Sequence, residues 1–228
     1  MAHLRAVGFD LDGTLFDHRG AATAGAARFL ESLDVPASAF AIARWFAAET
    51  EQFERWRAGQ ISFPEQRRER LRAVLPALGV PMPADDGGLD ELFDAYRRQY
   101  EASWRAYPGS MPLLRTLRLQ GYRIGVLTNG TETQQVDKLR RTGLLDAVDV
   151  VCTSERIGVQ KPDRRAFETL SAELGVEPSG CLFVGDSVAH DVEAARSAGM
   201  HGLLIDHEAQ DGPDMEALVL TALADRRG

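Results

Sequence analysis

Apolar and polar positions divide the chain into three stretches. The first is a single short apolar run, Leu4-Arg5-Ala6-Val7-Gly8-Phe9, interrupted only by Arg5. A near-continuous apolar run of this length predicts a strand buried on both faces, as in a parallel sheet. From Ala21 to about Trp104 the periodicity is helical throughout. Ala21 to Leu33 is alanine-rich and amphipathic, and Ile42, Trp45, Phe46, Phe53 and Trp56 fall on one helical face that Gly59 ends. Ser62-Phe63-Pro64-Glu65 has the Ser-x-x-Glu form of a capping box and predicts a helix running to Leu78. Leu92, Phe93, Tyr96 and Tyr100 stripe a fourth, from about Leu89 to Trp104. These aromatic stripes read better as the core of a small helical bundle than as the lining of a substrate pocket.

Tyr107-Pro108-Gly109 breaks the helical stretch, and strands and helices alternate after it. The pattern predicts a helix over 112–120, a strand over 123–127, a helix over 132–142, a strand over 147–152 and a helix over 163–174. A strand over 181–185, a helix over 188–198 and a strand over 202–205 follow. Together with the first strand this is a βαβ series: an α/β fold with a doubly wound parallel, Rossmann-like sheet. Residues 1–16 and 106–228 form its core, and the α-helical domain over 17–105 is inserted after the first strand.

Composition narrows the function. A formal net charge of −8 in 228 residues argues against a nucleic-acid polymer as partner, while leaving room for a small anion in a local pocket. No apolar run is long enough to span a bilayer and the chain opens on no apolar signal segment, so the expected location is cytoplasmic. Cys152 and Cys181 each sit in an expected strand and read as buried, reduced thiols. Among the 26 basic residues only Lys138 and Lys161 are lysine. Lysine offers a compact point charge that arginine's planar fork does not, so a lysine kept in that background draws attention. Lys161 stands beside a proline in a loop; Lys138 falls within an expected helix, where a place on the surface is the ordinary expectation.

The carboxyl ends of parallel strands gather at one edge of a sheet, where ligands bind in open α/β folds. The first strand delivers Asp10 and Asp12 there, with Gly13 supplying the turn. An Asp-x-Asp opening also suits a calcium loop, but Gly13 comes too early and Ala21 stands where the bidentate glutamate belongs. The second strand delivers Thr128-Asn129-Gly130 ahead of a helix for which Thr131 and Gln134 fit a capping box. Gln160-Lys161-Pro162-Asp163 follows the third, and Gly185-Asp186-Ser187 with Asp191 the fourth. Taken singly, each has an ordinary reading as a turn, a cap or a surface charge. Together they bring four carboxylates, a lysine and a hydroxyl to one rim, which calls for a hard, oxygen-loving cation; magnesium suits it best. The five histidines show no ligand pair at helical spacing and the two cysteines lie far apart, which disfavours zinc.

The motifs Asp10-Leu11-Asp12-Gly13-Thr14, Thr128-Asn129-Gly130, Lys161-Pro162-Asp163 and Gly185-Asp186-Ser187 with Asp191 resemble, in order and context, those of the haloacid dehalogenase (HAD) superfamily. The likeness spans essentially the whole chain and points to the phosphatase branch with a helical cap after the first strand. It implies that Asp10 is the nucleophile that forms an aspartyl-phosphate and that Asp12 is the acid and base. Thr128 and the Asn129 backbone would hold phosphoryl oxygens, and Lys161 would neutralise charge. Asp10, the Asp12 carbonyl and Asp186 would bind Mg2+, with Asp191 contributing directly or from just behind them. The expected activity is hydrolysis of a small-molecule phosphomonoester by a monomer or homodimer. A phosphomutase, a 2-haloacid dehalogenase and a catalytically silent phosphate-binding module are the alternatives. The resemblance disfavours the dehalogenase, because halide displacement needs neither a leaving-group acid nor a metal and the family's dehalogenases carry another residue at the position of Asp12.

Overall fold

The computed structural model describes residues 3–207 and 214–225, so the expected outer limits of the core at residues 1 and 228 lie outside them. The chain divides into two compact units, one of Met1–His18 with Trp104–Gly228 and one of Arg19–Ser103.

The first unit is a five-stranded parallel sheet in the order β3-β2-β1-β4-β5, built from β1 (Ala6–Phe9), β2 (Arg123–Thr128), β3 (Val150–Thr153), β4 (Cys181–Gly185) and β5 (His201–Leu204). Every residue of β1 and β4 is buried, as expected for strands covered on both faces. In the register Phe9 pairs with both Val126 and Val184. Asp10, Thr128 and Asp186 therefore leave their strands at nearly the same level of the sheet. A Cβ on either Gly8 or Gly125 would stand 2.7 Å from a methyl group of Leu170, so a side chain at either position would push Leu170 aside. The helix over Arg164–Leu174 lies close on the sheet there, which seats the loop carrying Lys161 just ahead of it.

The helices, in chain order, are α1 (His18–Glu31), α2 (Ala39–Arg57), α3 (Phe63–Val74), α4 (Asp86–Glu101), α5 (Ser110–Leu119), α6 (Glu132–Arg141), α7 (Ser154–Ile157), α8 (Arg164–Leu174), α9 (Ala194–Ser197) and α10 (Met215–Ala224). In the second unit Phe29, Trp45 and Tyr96 meet ring to ring, with Phe29–Trp45 and Trp45–Tyr96 centroids 5.6 and 4.4 Å apart. The fully buried Leu71, Val74 and Leu75 of the segment that includes α3 belong to the apolar core as well. On α4, Phe93, Tyr96 and Tyr100 are buried and serve as core, with Leu92 half-buried; on α2 only Trp45 of the expected stripe is buried, and Ile42, Phe46, Phe53 and Trp56 are half-buried. Half of the expected capping box at Ser62 forms. Its hydroxyl accepts from the Glu65 N–H at 3.2 Å, but the Glu65 carboxylate turns to Arg68 and Arg72.

Five elements depart most from the sequence pattern. The expected strand over 147–152 begins only at Val150, because Leu145–Ala147 closes a 3-10 turn. The short α7 and the more C-terminal α10 lie where the pattern predicts no helix. Thr131 does precede α6, but its hydroxyl makes no capping bond, so the box with Gln134 is absent. The expected helix over 188–198 is wound as a π-helix over Val188–Glu193 before it tightens into α9. That wide turn lets the Asp191 carboxylate accept from the Ser187 N–H at 3.0 Å; π turns of this kind recur at functional sites.

Candidate active site

Asp10 follows β1 directly, and its N–H donates to the Val184 carbonyl at 2.9 Å, so the residue is still held by the sheet. The residue is 5% exposed. Lys161, 4% exposed, donates from Nζ to Asp10 Oδ1 and to Asp191 Oδ1, both at 2.6 Å. Thr14 Oγ1 donates to the other Asp10 oxygen at 3.3 Å. Burial works against the Lys161 ammonium, but the Asp10 and Asp191 carboxylates override it and raise its pKa above the ordinary lysine value. Asp10 is also raised, by burial first, with the Asp191 and Asp186 charges adding to it against the pull of Lys161. The surplus of acids over cations thus adds to the effect of burial at Asp10 and overcomes it at Lys161.

Asp186 completes the group. Carboxylate oxygens of Asp10, Asp186 and Asp191 all lie within 4.8 Å of one another, so the three could hold a metal ion. Three carboxylates against the single Lys161 ammonium leave two negative charges over, and a divalent cation closes that balance. All-oxygen, acidic donors suit magnesium, so the residues present fit the expected ion. Gly13 is part of the fit. It lies at φ +98°, where L side chains are strained, and a Cβ there would run into the Asp186 carboxylate. Gly13→Ala is expected to displace Asp186 and raise the magnesium concentration needed for half-maximal activity by roughly tenfold. A magnesium titration of the activity checks it, and an unchanged midpoint would count against Asp186 as a ligand.

Asp12 takes no part in this three-carboxylate group. Its side chain leads instead to α6, where Lys138 Nζ donates to Asp12 Oδ1 at 2.5 Å and Gln135 Nε2 to Oδ2 at 3.0 Å. His18 Nδ1 stands 4.0 Å from Oδ1. Burial works to raise the Asp12 carboxyl, but Lys138, His18 and Gln135 together hold it below the usual carboxylate range. The surface position expected for Lys138 is therefore wrong. The residue is 3% exposed, with its ammonium 4.9 Å from the centroid of the Phe16 ring.

The remaining expected residues are brought to the same end of the sheet. Thr128 closes β2 and is buried. Asn129 exchanges two hydrogen bonds with the lysine loop, its Nδ2 donating to the Lys161 carbonyl and its Oδ1 accepting from the Lys161 N–H, both at 2.9 Å. Asp163 stands apart, capping α8 and paired with Arg165 on the surface. Gln135, Lys138 and the side-chain role of Asn129 escaped sequence reasoning. The scarcity of lysine was the signal that could have found Lys138.

A family model for haloacid dehalogenase-like hydrolases matches residues 4–199. The chain belongs to this family. Among curated relatives, it is 39% identical to a phosphatase of Mycobacterium tuberculosis (strain CDC 1551 / Oshkosh) over 161 residues, 69% of this chain and 72% of that protein. It is 33% identical to the ribulose-1,5-bisphosphate 5-phosphatase of Halopiger xanaduensis over 204 residues, 88% of this chain and 84% of that protein. The crystal structure of the HAD hydrolase YfnB from Bacillus subtilis, bound to magnesium, has the same fold at a TM-score of 0.77 and 23% identity, covering 92% of this chain and 90% of that one. Solved 2-haloacid dehalogenases share the fold as well, so the fold of a HAD hydrolase does not choose between phosphate and halide.

Proposed function

We propose that this HAD hydrolase is a magnesium-dependent phosphatase that hydrolyses a small phosphomonoester through an aspartyl-phosphate on Asp10. The observation that carries the reading is Asp12, a second carboxylate that Lys138 and Gln135 hold apart from the group of Asp10, Asp186 and Asp191. Displacing halide from carbon gives such a residue nothing to do. Departure of an alkoxide from phosphorus requires a proton, and hydrolysis of the acyl phosphate requires a base.

Asp10 attacks phosphorus while Lys161 offsets the charge that its carboxylate and the phosphoryl oxygens share. At about 4 Å and an effective dielectric of about 20 one such charge pair is worth roughly 4 kcal/mol. Thr128 and the Asn129 backbone hold phosphoryl oxygens. Asn129 also anchors the lysine loop through its side chain. The negative charge of an arriving phosphate opposes Lys138 and raises the proton affinity of Asp12. Asp12 then protonates the leaving oxygen and afterwards takes the proton of the attacking water. Asp10, Asp186 and the Asp12 carbonyl would hold the magnesium, with Asp191 contributing directly or from just behind them. When bound, the ion supplies the positive charge that draws phosphate to a crowd of acids and stabilises its transition state.

The names of the curated relatives, which include phosphatases of ribulose-1,5-bisphosphate, glyceraldehyde 3-phosphate and phosphoglycolate, support a small phosphorylated metabolite as substrate. Among the described residues no helix is long and apolar enough to cross a membrane, which is consistent with action on a metabolite in the cytoplasm. Whether the enzyme acts as monomer or homodimer does not alter this chemistry, since every group invoked comes from one chain. Purified protein is expected to release p-nitrophenolate from p-nitrophenyl phosphate with magnesium and to lose that activity in EDTA. Turnover unchanged by chelation would refute the metal requirement, and chloride release from 2-chloropropionate without phosphatase activity would favour the dehalogenase.

A further inference from the structure

Lys138 lies off every motif by which the site was recognised, yet it is buried in the same unit, and its charge is spent on Asp12. A buried ammonium is costly unless paired, and only two residues of the 26 basic ones in this chain are lysine. Both lysines are buried, and each has its ammonium against an aspartate of the Asp10-Leu11-Asp12 segment. Lys161 serves Asp10; Lys138 serves Asp12.

The geometry is that of a clamp. Positions 135 and 138 are three residues apart on α6 and so share one face of the helix. From that face Lys138 reaches one oxygen of Asp12 and Gln135 the other. The Gln135 amide also donates to the Asn129 carbonyl at 3.0 Å, which ties the clamp to the turn that carries Thr128. Its orientation follows from chemistry, because both neighbours of Nε2 are oxygens that accept. Gly130 leaves the space this amide occupies, since a Cβ there would stand 2.7 Å from Gln135 Nε2. The Phe16 ring lies under the ammonium, so the lysine is fixed by an aromatic face as well as by the ion pair. Asp12 itself bridges to Phe16 just ahead of a turn, with its side chain 26% exposed, where an unheld carboxylate would sample several rotamers.

We propose that Lys138 and Gln135 are positioning residues that fix the Asp12 carboxyl group for both halves of the reaction, with Lys138 also balancing its charge once its proton has gone to the leaving oxygen. This rests on the reading of Asp12 as acid and base. Neither residue touches the reacting phosphorus; both act through Asp12. Their loss therefore falls on the proton-transfer steps, lowers kcat far more than it changes KM, and spares any step whose leaving group departs without a proton.

The test compares the parent, Lys138→Met, Asp12→Asn and the double variant in the presence of magnesium. Lys138→Met is expected to lower steady-state kcat on an alkyl phosphate such as glycerol phosphate by about 10- to 100-fold, part of what a general acid contributes. With 2,4-dinitrophenyl phosphate, whose phenolate needs no proton, the rate of the pre-steady-state burst should stay within about threefold of the parent, because phosphoryl transfer to Asp10 no longer depends on Asp12. The burst amplitude counts competent sites, so a folding defect would reduce the amplitude and leave that contrast between substrates unseen. In the Asp12→Asn background, Lys138→Met should add less than about a twofold further loss, the non-additivity of residues that act as a unit.

Should Lys138→Met not fold, Gln135→Ala is expected to show the same contrast with a smaller amplitude. Equal losses on both substrates, or full additivity with Asp12→Asn, would overturn the proposal, as would parental kcat in Lys138→Met alongside an inactive Asp12→Asn. Parental activity in Asp12→Asn itself would overturn the acid–base reading beneath it, a result distinguishable from any of these.

Discussion

Asp10→Asn abolishes phosphatase turnover while leaving the fold as stable as before, or more stable. Asparagine is nearly isosteric with aspartate but offers no anionic oxygen to attack phosphorus, so the covalent route closes. The expected loss in kcat is on the order of 10⁴-fold or more. The stability half follows from the charge balance, because Asp10 is one of three carboxylates gathered round one ammonium. Its charged form is disfavoured by burial and by the charges of Asp191 and Asp186. Removing that charge leaves Lys161 paired with Asp191 at 2.6 Å and relieves the repulsion. Steady-state assay with p-nitrophenyl phosphate and thermal unfolding in metal-free buffer together check it. A nucleophile assigned wrongly would show itself as turnover that survives; an inactive but clearly destabilised variant would mean that Asp10 mainly supports the structure.

Much of the site was legible because the chemistry-bearing residues lie immediately after apolar runs, and a parallel sheet collects whatever follows its strands. Asp10, Thr128 and Asp186 are of that kind: each is within two residues of a register pair seated at Phe9, Val126 or Val184. Lys138 is not. It reaches the site from the second turn of a helix, by the length of its side chain, and a helix face carries no mark in the sequence to say that it turns toward a strand end. The rarity of lysine raised the question for both residues, and the proline next to Lys161 answered it for only one. The side-chain role of Asn129 was hidden for a related reason, since its partner is backbone 32 residues away. The strand at 150–153 and the π turn at 188–193 were misjudged locally because hydrophobic period alone does not separate a 3-10 turn from a strand end, or a π turn from an α turn.

Lys161→Met should cost both activity and stability, and the two losses should respond differently to magnesium. The ammonium holds Asp10 and Asp191 at 2.6 Å each, with all three side chains almost fully buried. Deleting it strands two carboxylates in a site from which water is largely excluded, and breaking a buried ion pair from one side typically costs about 3 kcal/mol or more. For a chain of this size that corresponds to a fall in Tm of roughly 6–12 °C in metal-free buffer. Added magnesium should recover part of the lost stability, because a divalent cation neutralises the same carboxylates. It should not restore turnover, because the charge Lys161 places between Asp10 and the phosphoryl oxygens comes from another direction; kcat stays down by about 10²- to 10³-fold at saturating metal, the loss seen when one preorganised donor is removed. A Tm unchanged by the substitution would show that the pair contributes nothing to the fold. Turnover restored by magnesium alone would show that Lys161 is a counter-charge for the carboxylates and has no separate part in handling phosphate.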